Sequence, residues 1–242
     1  MIREIRKKMV LLNNRRPFKK EVREYLRDLE LTEWVFMNLH LSGSGLEKDH
    51  VQQILDGGWV LNASVEEHVM IDRLRELYRL IDRYLDMKTT LSLQVIDEMH
   101  RSLMGAGEAF QYRKNNPVLL EYGYNPVIPT EIPAAMEELS RMIQKDEPVS
   151  TPFLQAAQIH NRFLAIYPYK EGNEYLARAA MYYFLAEKGY PMAAITMTEQ
   201  EYNNSVIMYL KKGESGILCH ALMQAVYRRL ELMIQITGYG DF

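Results

Sequence analysis

The sequence predicts an all-α helical bundle with one small β-hairpin excursion. Apolar residues return every three or four positions through most of the chain. Helix punctuation recurs where those apolar runs begin and end. Only residues 117–133, PVLLEYGYNPVIPTEIP, break the pattern, with four prolines and short β-type runs around EYGYN.

In order along the chain, VEEHVMIDRLRELYRLIDRYL at 65–85 puts Val65, Val69, Leu74, Leu77, Tyr78, Ile81, Tyr84 and Leu85 on one face and charges on the other. The 117–133 stretch reads as a hairpin and loop leading into AAMEELSRMI. TPFLQAAQIHNRFLAI starts with Thr151 as N-cap and Pro152 at the first helical position. YLARAAMYYFLAEKGYP stops at Lys188, Gly189 and Pro191. TEQE at 198–201 fits a capping box, opening a helix that runs to Gly213. A long helix from about Ser215 to Thr237 closes the sequence. The organisation expected is an N-terminal helical region, 1–58, and a core, 59–242.

A chain of 242 residues can bury a sizeable interior, and its 48% hydrophobic and 25% charged content is ordinary for a globular protein. The net charge of −3 gives no reason to expect nucleic acid or an anionic membrane as the main partner. Eight basic residues against Glu4 in the first twenty positions read as a solvated arm. MVLL is too short for a signal core, and no run approaches the ~18 apolar residues of a membrane span. The single cysteine, Cys219, excludes an intramolecular disulfide and fits a reducing compartment, so a cytoplasmic location is expected. His100 and His160 read as packed core histidines without partners at metal-ligand spacing, and no structural zinc is expected.

The chemistry concentrates in YPYKEGNEYLAR at 167–178. Gly172 permits a tight turn, and the free N–H groups of the following helix's first turn make an anion site. Glu171 can ligate magnesium through oxygen, and Arg178, about one turn into the helix, can reach a phosphate there. A helix–loop–helix turn closed by its own capping residues fits the same letters.

The loop resembles the Fic (Fic/Doc, Fido) family motif, His-Pro-Phe-x-(Asp/Glu)-Gly-Asn-Gly-Arg-x-x-Arg. Pro168, Glu171, Gly172, Asn173 and Arg178 match it, Tyr169 keeps the aromatic, and Tyr167, Glu174 and Tyr175 depart from it. The resemblance covers residues 35–230 in order, through LSLQVIDEMHRSLM, GEAFQYRKNNPVLL, YNPVIPTEIPAAMEEL and QAAQIHNRFLAIYP. It implies a Fic-like helical fold with a β-hairpin flap over 117–129. It also implies relation to enzymes that move AMP from ATP, with Mg2+, to a target protein's hydroxyl. In that frame Tyr167 occupies the place of the histidine base, Glu171 that of the metal ligand, and Gly172, Asn173 and Arg178 those of the phosphate holders. NLHLSGSGLEKDHVQQIL resembles the family's inhibitory helix, with Ser42 where its glutamate stands and Glu47 available only in a shifted frame.

The substitutions point to an impaired enzyme. An unperturbed phenol, with a pKa of about 10, is a poor base at neutral pH, and a positioned base contributes ~10²–10⁴-fold. Glu174 adds bulk and negative charge at a helix start, where a carboxylate is itself stabilised by ~0.3–1 kcal/mol, and so occludes the anion site together with Tyr175. The expectation is therefore a binding or regulatory protein that engages a target or an active relative, with the flap as one contact surface. The alternative is a nucleotidyl- or phosphoryl-group transferase using Glu171 for Mg2+ and Asn173 and Arg178 for phosphate. ATP and Mg2+ are the cofactors only if nucleotide binding survives, and homo-oligomerisation stays open.

Overall fold

The computed structural model describes residues 1–105, 111–119, 122–145 and 151–238. Among them are ten α-helices: α1 (Ile2–Asn13), α2 (Lys20–His40), α3 (Lys48–Leu55), α4 (Val65–Asp86), α5 (Leu93–Met104), α6 (Ile132–Gln144), α7 (Pro152–Ile166), α8 (Asn173–Glu187), α9 (Glu199–Lys212) and α10 (Gly216–Gly238). The all-α expectation holds.

The hairpin of α7 and α8 is the centre. Phe153, Ile159, Phe163 and Ile166 on α7, and Leu176, Met181 and Tyr183 on α8, are completely buried. A helix that is apolar on most sides belongs inside, and these two are covered in turn. α6, α9 and α10 pack on α7, while α4 and α5 pack on α8. α1 lies along α10, and α2 packs on α3 and α4. The punctuation works as the letters suggest. Thr151 accepts from Leu154 N, Thr198 and Glu201 form a reciprocal cap, and α9 stops at Gly213 with φ +73°.

Two expectations are corrected. The hairpin is, among the described residues, a single antiparallel bridge between Leu119 and Tyr124. Pro117 and Pro126 lie just outside that bridge, and each removes a backbone donor that a longer ladder needs. Residues 120 and 121 of the expected flap, and 107–110 ahead of it, lie outside the described residues. On α4, Val65 and Val69 are 61% and 43% exposed and do not face the core. His68 and Ile71 take the inward face there, with Trp59 stacked on His68 at 4.0 Å between ring centroids.

Four helices are joined by one buried polar chain. Arg178 Nη1 donates to Tyr202 Oη at 3.3 Å, and Tyr202 Oη lies 2.7 Å from His160 Nε2. His160 Nδ1 lies 2.9 Å from Asn161 Oδ1, and Asn161 Nδ2 donates to Ser215 Oγ at 3.1 Å. A guanidinium only donates, so the Tyr202 proton points at His160 Nε2 and the imidazole proton sits on Nδ1. The order runs one way from α8 through α9 and α7 to the start of α10.

That order requires a neutral imidazole. Burial pushes His160 down to about 3, and the nearby Arg178 charge acts in the same direction. An unfolded histidine titrates near 6.5, so the unfolded chain binds the extra proton first. The stability contributed by neutral His160 is therefore complete above about pH 6.5 and declines as pH falls toward 3. Urea unfolding of the native protein and His160→Gln should show the native protein losing stability faster below pH 6.5, with an extra slope approaching ~1.4 kcal/mol per pH unit. Glu30, Asp97 and Glu187, whose carboxyls burial raises, act in the opposite direction and are common to both proteins. Parallel pH profiles would show that His160 does not titrate on unfolding.

Candidate functional site

The α7–α8 turn is built by three residues that the rest of the fold clamps. α7 ends at Tyr167, a non-glycine residue in the left-handed region at φ +50°, ψ +62°. Such a conformation persists only where its surroundings enforce it. Arg113 does so. Its backbone N donates to Pro168 O at 2.9 Å, its Nε to Tyr167 O at 2.6 Å, and its Nη2 to Ile166 O at 3.2 Å and to Val127 O. A cation is favourable at the carbonyl end of a helix, and here it fastens the end of α7 to the segment after α5. Burial lowers the Arg113 pKa, yet a guanidinium stays charged.

Gly172 turns the chain into α8 at φ +82°. A Cβ there would meet Leu103 Cδ2 at 3.0 Å and Met104 Sδ at 3.3 Å, so both conformation and space call for glycine. Asn173 is fully buried and folds back on the loop, its Oδ1 accepting from Tyr169 N at 3.0 Å and its Nδ2 donating to Tyr169 O at 2.9 Å. Its amide is thereby spent on the loop. The Tyr169 ring stacks on His100 at 3.9 Å and its hydroxyl donates to Asp97 Oδ1 at 2.8 Å.

Across the first turn of α8, Tyr167 Oη donates to Glu174 Oε1 at 2.6 Å. The N–H groups of that turn have no acceptors within the helix, and the carboxylate standing beside them is the charge a helix start favours. Tyr175 lies under the Arg178 guanidinium, 5.0 Å from its ring centroid. Arg178 itself is fully buried. Its Nε donates to Asn38 Oδ1 at 2.8 Å, and its Nη2 donates to Asn38 O at 3.2 Å and Ser42 Oγ at 2.8 Å. All of these partners are neutral.

The structure thus gathers Tyr167, Gly172, Asn173, Glu174, Tyr175, Arg178 and Ser42 around one helix start. Glu171 stands apart: it is exposed, and its Oε1 lies 3.3 Å from Lys170 Nζ. Among the described residues no group of three or more histidine, cysteine or acidic side chains forms a metal cage. Glu47 caps α3, whereas Ser42 makes the Arg178 contact. Sequence reasoning missed Arg113, Asn38 and Tyr202. Asn38 carried a signal, as an amide in the apolar run WVFMNL of α2. Arg113 carried one through the resemblance of GEAFQYRKNNPVLL, without a role attached, and Tyr202 carried none that distinguishes it from a surface residue.

Residues 90–185 match the family described as Fic/DOC. Among relatives, the protein adenylyltransferase fic-1 of Caenorhabditis briggsae is 25% identical over 182 residues, covering 72% of this chain and 35% of that protein. The protein adenylyltransferase Fic of Drosophila erecta is 22% identical over 210 residues, covering 84% of this chain and 42% of that protein. The chain therefore spans well under half the length of these relatives. A Fic domain containing signaling protein from Bacteroides thetaiotaomicron superposes with a TM-score of 0.80 at 22% identity, covering 97% of this chain and 98% of that one. A segment of Fic-1 from C. elegans superposes at 0.81 with 17% identity, covering 98% and 73%. The motif loop lies inside the segment that matches Fic/DOC, and the chain is similar in fold to Fic-domain proteins and in sequence, at low identity, to protein adenylyltransferases.

Proposed function

We propose that this chain is a Fic-domain protein of binding or regulatory function that does not transfer AMP by a base-assisted route at Tyr167. The observation that carries this reading is the hydrogen bond from Tyr167 to Glu174 across the start of α8. A general base must point an available lone pair toward the substrate proton, whereas this phenol directs its own proton at a carboxylate. Ionising it there would set a phenolate against Glu174, two like charges at hydrogen-bonding distance.

ATP with Mg2+ is the cofactor pair that the relatives' activity implies, and the residues fit it poorly. The Glu174 side chain puts a carboxylate in the first turn of α8, near where a phosphate would sit, the Asn173 amide is used by Tyr169, and Arg178 is engaged by Asn38, Ser42 and Tyr202. Glu171 is exposed and could meet a magnesium ion on leaving Lys170, but a lone carboxylate holds Mg2+ only together with substrate phosphates. No chemical step is assigned to the site on this reading. Contact with a partner falls instead to the flap region 117–129, where Val118 and Ile128 are 79% and 47% exposed beside a bridge whose outer edges are unpaired with any sheet among the described residues.

Incubation with α-labelled ATP and Mg2+ should leave both this protein and added target proteins unlabelled, and titration calorimetry should show no ATP binding at submillimolar concentration. Label incorporation would overturn the proposal. The combined change Tyr167→His, Glu174→Gly and Tyr175→Arg, which reopens the helix start and returns a base and a cation, should create measurable ATP affinity. An unchanged blank titration would place the obstruction outside these three side chains.

Arg178 supplies a separate check, because here it acts as part of the interior. Arg178→Ala should cost about 2–4 kcal/mol in denaturant unfolding, since it leaves a cavity and strips Asn38 Oδ1 of its buried donor. A loss below about 0.5 kcal/mol would assign the guanidinium to ligand binding in place of structure.

A further inference from the structure

Away from the motif loop, α2 and α10 present matched stripes to a cavity of about 540 Å3. On α2 the stripe is Glu33, Phe36, Met37 and His40; on α10 it is Ala225, Arg228, Arg229 and Leu232. Each set recurs at intervals of three and four, so each lies on one helix face. The segment after α8 closes a side with Ala193, Ile195 and Met197. The floor is apolar, and the volume is that of a small-molecule site, roughly 300–1,000 Å3.

The charges on the walls are unequal in what they have left to give. Both carboxylates are engaged. Glu33 accepts from Lys48 Nζ at 2.9 Å and from Arg229 Nη2 at 2.5 Å, and Glu201 accepts from Thr198 N at 2.9 Å within its capping box. Glu30 also faces Arg229 from α2, but burial raises its pKa and it accepts a hydrogen bond from Tyr78 at 2.8 Å. The guanidiniums retain donors. Arg229 is 5% exposed, and its Nη1 is buried without a hydrogen-bond partner. Arg228 is exposed and donates Nη2 to the neutral Thr196 hydroxyl at 2.8 Å. Setting His40 aside, Lys48, Arg228 and Arg229 exceed Glu33 and Glu201 by one positive charge.

An apolar floor with Arg228 and Arg229 both on its wall, and a surplus of one positive charge among the lining side chains, describes its ligand. We propose that this cavity binds a small amphiphilic carboxylate, with its apolar body on Phe36, Met37, Ile195 and Leu232 and its carboxylate at Arg228 and Arg229. Guanidinium donors match the planar, two-oxygen geometry of a carboxylate better than an ammonium does. The site is distinct from the motif loop and does not depend on whether nucleotide binds there.

Titration calorimetry of the full chain with decanoate and with decylammonium, each below its micellar concentration, tests the assignment. Decanoate should bind saturably at one site, at least tenfold more tightly than decylammonium. Arg228→Ala, at an exposed position, should weaken decanoate tenfold or more without altering the far-UV circular dichroism. Ala194→Trp, placed at the half-buried edge of the cavity, should abolish binding; if that variant does not fold, the Arg228 variant and the charge-reversed ligand still decide. Non-saturable uptake, equal affinity for the two amphiphiles, or decanoate binding indifferent to Arg228→Ala would overturn the proposal.

Discussion

A fully buried guanidinium whose hydrogen bonds, among the described residues, all go to neutral groups is the constraint around which the centre of this protein is arranged. An ion taken out of water must recover its hydration from protein groups, and at Arg178 those groups are all dipoles: the Asn38 amide and carbonyl, the Ser42 hydroxyl, the Tyr202 hydroxyl and the faces of the Tyr175 and Tyr202 rings. Each dipole comes from a different part of the chain, so solvating one side chain draws together α2, the turn after it, α8 and α9. Because a guanidinium cannot accept, it also fixes the direction of every hydrogen bond downstream through Tyr202, His160 and Asn161. A single donor-only group therefore specifies the tautomer of a histidine on another helix.

The same arrangement bears on what the helix start of α8 can do. Left open, the first turn of a helix after a glycine is an anion site by construction. Here the phenol of Tyr167 and the carboxylate of Glu174 meet across it, and the backbone that presents Tyr167 is held in the left-handed region by Arg113. Arg113 serves as a second buried cation used for shape: it gathers carbonyls from Ile166, Tyr167, Asn115 and Val127. Two buried arginines thus flank this region, Arg113 through carbonyls at the end of α7 and Arg178, in the second turn of α8, through side chains of α2, the turn after it and α9.

Much of this fold is legible in the letters. Local signals decide the helices: Thr151-Pro152, the Thr198 to Glu201 capping box and Gly213 each mark a boundary by satisfying or terminating backbone hydrogen bonds at that place. Periodicity is weaker where a helix overhangs. Val65 and Val69 continue the apolar pattern of α4, yet the core at that level is filled by His68 under Trp59 and by Ile71. The flap misled because β-type letters predict strand propensity and not pairing, and prolines at 117 and 126 limit the ladder to one bridge. In the site, residues close in sequence were readable, since 167–178 is a single turn. Asn38, Tyr202 and Arg113 were not, because what recruits them is a contact across 140, 24 and 54 positions of chain, which no local pattern encodes.

Viewed against the family motif that the loop resembles, the departures are coupled through charge. The motif places two arginines near a helix start, and the inhibitory segment brings a glutamate to the second. In this chain the first arginine position holds Tyr175 and the glutamate position holds Ser42, so one cation and one anion have gone together and the sum over the three positions is unchanged. Arg178 loses a like charge and gains a ring face at Tyr175; it loses a counter-ion and gains a hydroxyl at Ser42. Losing the glutamate alone would leave two cations together, whereas losing it with the first arginine leaves one cation that neutral dipoles can solvate. Glu174 then adds one negative charge four residues before Arg178 on the same helix, the orientation in which a carboxylate supports both the helix start and the cation beyond it. The set of substitutions is consistent with a site rebuilt around its own side chains, because the Arg178 cation is solvated by neutral dipoles and the Glu174 carboxylate is hydrogen-bonded by Tyr167.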